Sequence, residues 1–388
     1  MSSAIVAGIG EFHPVRRSEV PVEAMVLSAI AQAIADAGLT PPDIGAVVTE
    51  SSLTPRLAPI DRIASCAGLH ELHRVMQSSP VGAGILASVG IAADLVESGE
   101  VDHCLVYFGI DWGATPDAPT DYHERMPAKR VVEFPAGFAG PAVYFAAAAR
   151  RYQHLHALSD AVMQDLLWSI VDATRQNAAQ HPHAQRGRPL RRDQYLAEPM
   201  QAEPLRSADC ALLSDGAIAL VVSRGERVRS GHARVRLAAW AYEADPIPDL
   251  DFYTQSPTWP ALPNAARCSA KAYRAAALDR LDLSLLLLYD CFSIAVALQL
   301  EAIGACRPGG AGELCAGGSL RFDGACPTNT HGGLLAHGYL VGAGHVVEAV
   351  HQLRHEAGAR QVRDARHAFV GAGPGRQYTS LIFSREGG

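Results

Sequence analysis

Hydrophobic and polar positions alternate between two spacings along this chain, and each switch marks an element. Ala4 to Gly10 (AIVAGIG) is a short apolar run of strand length, and Val22 to Ala37 repeats its apolar residues at helical spacing, with Gly38 as a C-terminal stop. IGAVVTE, from Ile44, reads as the next strand. Gly82 to Glu97 has helical spacing, small residues and almost no charge on any face, which predicts a helix buried on all sides. HCLVYFGI, from His103, follows as a buried strand. Core-strand composition returns with CALLSDGAIALVVSR from Cys210, and after the polar link GERVRSGHA the plan starts again. Its second round is RVRLAAWAYEA, a helix near 265–280, LSLLLLYDCF, a helix near 292–303, a Gly-rich stretch, a helix near 342–357 and ARHAFVGAGPGRQYTSLIFS.

Such alternation predicts an α/β protein with parallel or mixed sheets covered by helices on both faces. The repeated plan implies two duplicated halves, 1–228 and 229–388. Between about 111 and 208 the composition shifts to Pro, Arg, His, Asp and Gln. That stretch is expected to be a loop domain inserted in the first half, with a helical portion near 141–180 and an exposed arm.

Composition narrows the function classes. The chain has 388 residues, 48% of them hydrophobic and 19% charged, enough for a large core divided over two or three domains. A net charge of −7 argues against a nucleic-acid surface, which needs a basic footprint. No run reaches the roughly 18–20 uninterrupted apolar residues of a membrane span. The N-terminus lacks the basic and apolar regions of a signal peptide. Eight cysteines lie far apart with no CxxC pair, so reduced thiols in the cytoplasm are expected and a zinc site in this chain is not.

Four segments carry a resemblance. SSPVGAGILASVGIAADLVESGEVDHCLVYFG from Ser78, CALLSDGAIALVVS from Cys210, YDCFSIAVALQLEAIG from Tyr289 and CPTNTHGGLLAHGYLVGAGHVVEAVHQLR from Cys326 are together similar to the thiolase superfamily. The likeness is greatest to its sterol-carrier, lipid-transfer-protein branch and spans nearly the whole chain. It implies a five-layered αβαβα fold of two duplicated halves, a homodimer, and an acyl-CoA substrate.

The resemblance fails at each catalytic side chain. Where thiolases carry a nucleophilic Cys in Cys-Ala-Thr-Gly, at the N-terminus of the buried helix, this chain has Ser79-Pro80-Val81-Gly82. A thiolate there is favoured by the helix field, whereas a serine hydroxyl is far less acidic. Ser79 is therefore expected to be a small helix-cap residue, with a nucleophilic role as the alternative. Asn-Glu-Ala-Phe becomes Tyr289-Asp290-Cys291-Phe292, and the His of Gly-Gly-x-x-x-x-Gly-His-Pro becomes Tyr339, with His337 two places earlier. The last motif, Cys-x-Gly-x-Gly, reads Phe369-Val370-Gly371-Ala372-Gly373, and by likeness the backbone at Gly371 and Gly373 lines the thioester site. GAGPG at 371–375 is not a dinucleotide fingerprint, because no strand–loop–helix unit follows it.

Tyrosines at two facing polar positions resemble the steroid side-chain aldolases of the lipid-transfer-protein branch. That likeness implies retro-aldol cleavage of a β-hydroxyacyl-CoA, with a partner subunit built of an OB-fold and a zinc ribbon. Zinc is then expected only in the partner, and CoA arrives only as part of the substrate. Phenol chemistry suits the reaction, which needs a base for the β-hydroxyl proton and an acid for the thioester enolate. Tyr289 and Tyr339 are the candidates, in an order the residues leave open. Asp290 either orients a partner or caps a turn. His331, His337 and His345 are separated by glycines and are expected to be structural, with His331 and His337 flanking the site as supporting groups. Arg186 to Arg192 is expected to be a solvated arm, with CoA phosphates as the alternative use. The competing functions are a non-standard acyltransferase or Claisen enzyme using Ser79, and a catalytically silent acyl-CoA-binding subunit.

Overall fold

In the computed structural model, residues 3–79, 82–124, 129–244, 259–373, 375 and 377–387 are described below. Pro80 and Val81 of the tetrapeptide at Ser79, and Pro374 of the Gly-rich turn, lie outside them.

The strands are β1 (Ala4–Val15), β2 (Ala46–Glu50), β3 (Arg74–Ser78), β4 (His103–Asp111), β5 (Met200–Ala202), β6 (Leu205–Arg206), β7 (Asp215–Arg224), β8 (Val235–Ala244), β9 (Leu285–Leu288), β10 (His367–Ala372) and β11 (Gln377–Arg385). Nine of them hydrogen-bond in the order β3-β2-β4-β7-β1-β8-β11-β10-β9, while β5 and β6 pair alone. The nine fall into two blocks, because β1 meets β8 through one register pair, Ile5 with Arg236.

Each block repeats the same plan. β2 lies parallel to β3 and β4, β4 lies antiparallel to β7, and β7 lies antiparallel to β1. In the second block β9 lies parallel to β10, β10 antiparallel to β11, and β11 antiparallel to β8. The counterpart of β3 is reduced to a single bridge between Thr328 and Leu286. The duplication expected from the sequence is therefore visible strand by strand.

Helices complete five layers. The helix Val22–Asp36 covers the outer face of β1, β4 and β7, and Pro263–Ala276 covers β8 and β11. Between the blocks lie Gly84–Glu97 and Ala343–Arg354. The all-round burial expected for the first of these holds except along an edge at Asp94 and Glu97, which accept hydrogen bonds from Trp240 Nε1 and the Ala4 amide. Gly90 is what lets this helix reach the second block, since a Cβ there would stand 2.2 Å from the Trp240 ring. The central helix Ala343–Arg354 is anchored by a buried, bidentate ion pair between Glu348 and Arg360, at 2.8–3.1 Å. Thr330 and Gln352 donate to the same carboxylate, which satisfies its remaining lone pairs.

The region 111–208 contains the helices Pro141–Leu155 and Asp160–Ala178. Its basic stretch departs from the solvated arm expected. Arg191 and Arg192 are exposed, but Arg186 is half-buried and donates to the carbonyls of Leu335, Cys210 and Ser207. Gln185 and Arg186 also donate backbone bonds to His337 and Ala336. Three carbonyls thus engage the guanidinium of Arg186, while Arg188, Arg191 and Arg192 stay exposed as a solvated arm should.

Candidate active site

Tyr289 stands one residue beyond β9, at the carboxyl end of a buried apolar strand where α/β proteins place their sites. Its amide donates to Gly371 O at 3.0 Å, and its carbonyl accepts from Gln299 Nε2 at 2.7 Å. Gln299 is held in turn by the Tyr378 hydroxyl, at 3.0 Å from its Oε1. Tyr339 follows the single helical turn Gly333–His337, and its amide donates to Leu212 O and Ser214 Oγ. Both rings are 6–7% exposed. Their hydroxyl oxygens are 2.5 Å apart, with the rings at 72°. Trp112 stacks on Tyr339 at 5.3 Å and 13°, fixing the ring without using its hydroxyl. Two phenols in one short hydrogen bond form a paired donor and acceptor, and the bond stabilises a charge left on either oxygen.

Asp290 is fully buried directly behind this pair. Its Oδ1 accepts from the Leu334 amide at 2.8 Å and its Oδ2 from the Leu335 amide at 3.3 Å. His345 Nε2 lies 3.2 Å from Oδ1 and 2.9 Å from Leu288 O. Both neighbours are acceptors, so Nε2 carries the proton. Gly333, at φ +59°, is required here: a Cβ would stand 2.0 Å from Asp290 Oδ2.

The three histidines are not isolated loop residues. His345 packs edge-on against His331 at 4.9 Å, His331 against His337 at 5.3 Å, and His337 against His181 at 4.3 Å. His183 and His13, stacked at 3.7 Å, continue the file to the surface. Burial, with the neighbouring imidazoles adding to it, holds His331 well below the usual imidazole range. Burial also holds His337 down to about 4, against the opposing pull of Glu11 and Glu348.

Ser79 is not a helix cap. The helix Gly84–Glu97 has Ala83 at its cap, and the Ser79 hydroxyl has no hydrogen-bond partner among the described residues. No base is therefore in place there to activate it. The segment still reaches the site: Gly373, at φ +105°, packs against Ala83, and Thr379 donates to Ala83 O. At Gly371 the missing side chain makes room for the Tyr378 hydroxyl, which a Cβ would approach to 2.1 Å. A cavity of about 530 Å³ is walled by Trp112, the residue stacked on Tyr339, together with Leu53, Arg56, Leu57, Asp111 and Asp121, and neither phenol lines it.

Four contributors escaped the sequence reading: Trp112, the pair Gln299 and Tyr378, and Ser214. Trp112 had a usable signal, since it directly follows the buried strand β4. Tyr378 and Ser214 act through contacts made across more than seventy positions of the chain, and Gln299 reaches Tyr289 O from ten positions away.

The fold and this site define a thiolase-fold protein in which a phenol pair has replaced the thiolase side chains. The thiolase C-terminal domain-like family model matches residues 252–385. The 17-hydroxy-3-oxo-4-pregnene-20-carboxyl-CoA lyase of Mycobacterium tuberculosis is 30% identical over 98% of both chains. The steroid side-chain-cleaving aldolase of Thermomonospora curvata is 30% identical over 99% of this chain and 98% of its own. Among solved structures, the Ltp2-ChsH2(DUF35) aldolase superposes with a TM-score of 0.87 at 27% identity, covering 99% of this chain and 98% of the other. The chain belongs to the thiolase superfamily, in the lipid-transfer-protein branch with the steroid side-chain-cleaving aldolases.

Proposed function

We propose that this chain is a carbon–carbon lyase that cleaves a β-hydroxyacyl-CoA by retro-aldol chemistry, on a CoA thioester with a steroid side chain. The observation that carries this reading is the buried hydroxyl pair of Tyr289 and Tyr339 at 2.5 Å. One phenol oxygen accepts the β-hydroxyl proton and passes its own across the short bond to the other phenol, as the Cα–Cβ bond breaks and its electron pair moves into the thioester enolate. The other donates a hydrogen bond to that enolate and then delivers a proton to Cα. The proton passes from oxygen to carbon with no net uptake, leaving a ketone or aldehyde and a shorter acyl-CoA. No acyl-enzyme forms and no free CoA is consumed, so the loss of the thiolase Cys costs the reaction nothing.

The cavity beside Trp112 supports a bulky acyl part. It offers apolar walls at Leu53, Leu57 and Trp112, and its three carboxylates, Asp111, Asp117 and Asp121, outnumber the one cation, Arg56, which disfavours the phosphates of CoA there. β3 supports a homodimer, because it is an edge strand with one side unpaired and carries Val75 and Met76, 53% and 37% exposed. The aldolase neighbour is named with ChsH2(DUF35), which supports a heteromeric partner for this chain, and an OB-fold and zinc-ribbon subunit is our proposal for that role.

The test is a mass-spectrometric cleavage assay. The chain, alone and with a co-expressed DUF35 partner, is incubated with a β-hydroxyacyl-CoA bearing a fused-ring substituent. Release of ketone and short acyl-CoA without added CoA is expected. CoA-dependent cleavage of a β-ketoacyl-CoA instead would return the function to an acyltransferase at Ser79.

A further inference from the structure

We infer that Asp290 is the positioning residue that sets the separation of the two phenols. This rests on the retro-aldol reading of the pair and adds the device that holds it in register. Tyr289 and Tyr339 are fifty residues apart on separate segments, and each ends a backbone excursion with its own supports. Asp290 joins them. It is the immediate neighbour of Tyr289, and its carboxylate meets the chain on both sides of Tyr339, accepting from the Leu334 and Leu335 amides before it and lying 3.2 Å from His345 Nε2 after it. The loop carrying Tyr339 is therefore held at its entry, and met at its exit, by one buried carboxyl group.

Two features make the grip specific to a short carboxylate. Gly333 brings the backbone so close that a side chain at that position would overlap Oδ2. Two amides donate to the carboxylate in directions fixed by the turn Gly333–His337, while His345 Nε2 gives its hydrogen bond to Leu288 O and touches Oδ1 at 3.2 Å. An amide at this position offers one oxygen where the site needs two, and turns its own N–H groups against a backbone donor. No bond runs from Asp290 to either hydroxyl, so its influence passes through position. A hydroxyl-to-hydroxyl distance as short as 2.5 Å is sensitive to small shifts of either segment.

The experiment is Asp290→Asn in the full chain, read in two ways. In the cleavage assay kcat is expected to fall about 10²-fold, the size of a misplacement near 1 Å, with KM changed less than about threefold. Independently of any substrate, tyrosinate absorbance is titrated against pH in the ultraviolet. The step that disappears on Tyr339→Phe is expected to move to higher pH in Asp290→Asn, because a lengthened phenol–phenol bond stabilises the phenolate less. His345→Ala, which removes the contact at the exit of the loop together with the bond to Leu288 O, is expected to move both readings the same way by a smaller amount. It also carries the test should Asp290→Asn fail to fold.

A folded variant with kcat within about twofold of the parent and an unmoved tyrosinate step would overturn the inference. If the parent chain does not cleave the thioester, the retro-aldol reading fails, and the tyrosinate titration alone still decides the role of Asp290.

Discussion

Removing the Tyr339 hydroxyl separates chemistry from binding, because the structure gives ring and hydroxyl different tasks. In Tyr339→Phe the ring keeps its stack on Trp112, and the backbone keeps its bonds to Leu212 and Ser214. What is lost is one partner of the 2.5 Å bond to Tyr289. Losing one neutral hydrogen bond costs about 1 kcal/mol of stability, too little to unfold the chain. In the reaction the same loss removes an acid or a base, worth about 10²–10³ in kcat, or about 3–4 kcal/mol of barrier. KM is expected to stay within about threefold, since the cavity wall at Trp112 is intact. The double variant Tyr289→Phe, Tyr339→Phe should fall little below the worse single one, as the two oxygens act as a unit. Steady-state release of short acyl-CoA, followed by mass spectrometry at saturating substrate, measures all three. Tyr339→Phe turning over within about threefold of the parent, or Ser79→Ala losing as much as Tyr339→Phe, would refute the reasoning.

The remaining predictions concern stability and assembly. His337 is held neutral in the folded state, from 6.5 down to about 4, so the unfolded chain takes up its proton first and stability is complete above about pH 6.5. It is withdrawn as pH falls toward 4, by about 3 kcal/mol for this residue alone. Urea midpoints that match at about pH 7 and pH 4.5 would contradict this. Arg360→Met strands the Glu348 carboxylate in the core and should cost about 3–5 kcal/mol in urea unfolding, while a loss under about 1 kcal/mol would show the pair to be dispensable. Val75→Lys on β3 should shift the sedimentation of the chain toward monomer; an unchanged profile would mean that this edge is not the dimer seam.

The sequence pattern was a good guide wherever an element is decided by its own residues. The helix Val22–Asp36 and the strand Leu285–Leu288 fall where periodicity and apolar length put them. At the head of the helix Gly84–Glu97 the pattern ran two residues too far, because Gly82 turns the chain at φ +97° before the helix begins. That displacement also removes Ser79 from the cap position it was expected to fill. Arg186 was misread for a different reason: its carbonyl partners at Leu335, Cys210 and Ser207 are gathered by folding, and nothing in the local run of basic residues announces them. The family likeness brought Tyr289 and Tyr339 to one site but could not give their separation. The file of imidazoles was hidden for the same reason, since His13, His181 and His345 come from three distant parts of the chain.

The single backbone pair between Ile5 and Arg236 gives the molecule a seam, and the two sides of that seam do different work. Tyr289, Tyr339, Asp290 and His345 all come from the second repeat, whereas Trp112, Ser79 and the cavity walls come from the first. A duplicated ancestor in this arrangement can exchange its reaction by rewriting one copy while the other keeps shaping what enters. The division is not complete, since Trp112, Leu212 and Ser214 of the first repeat hold Tyr339 in place, so a graft that changes the cavity walls has to keep those three.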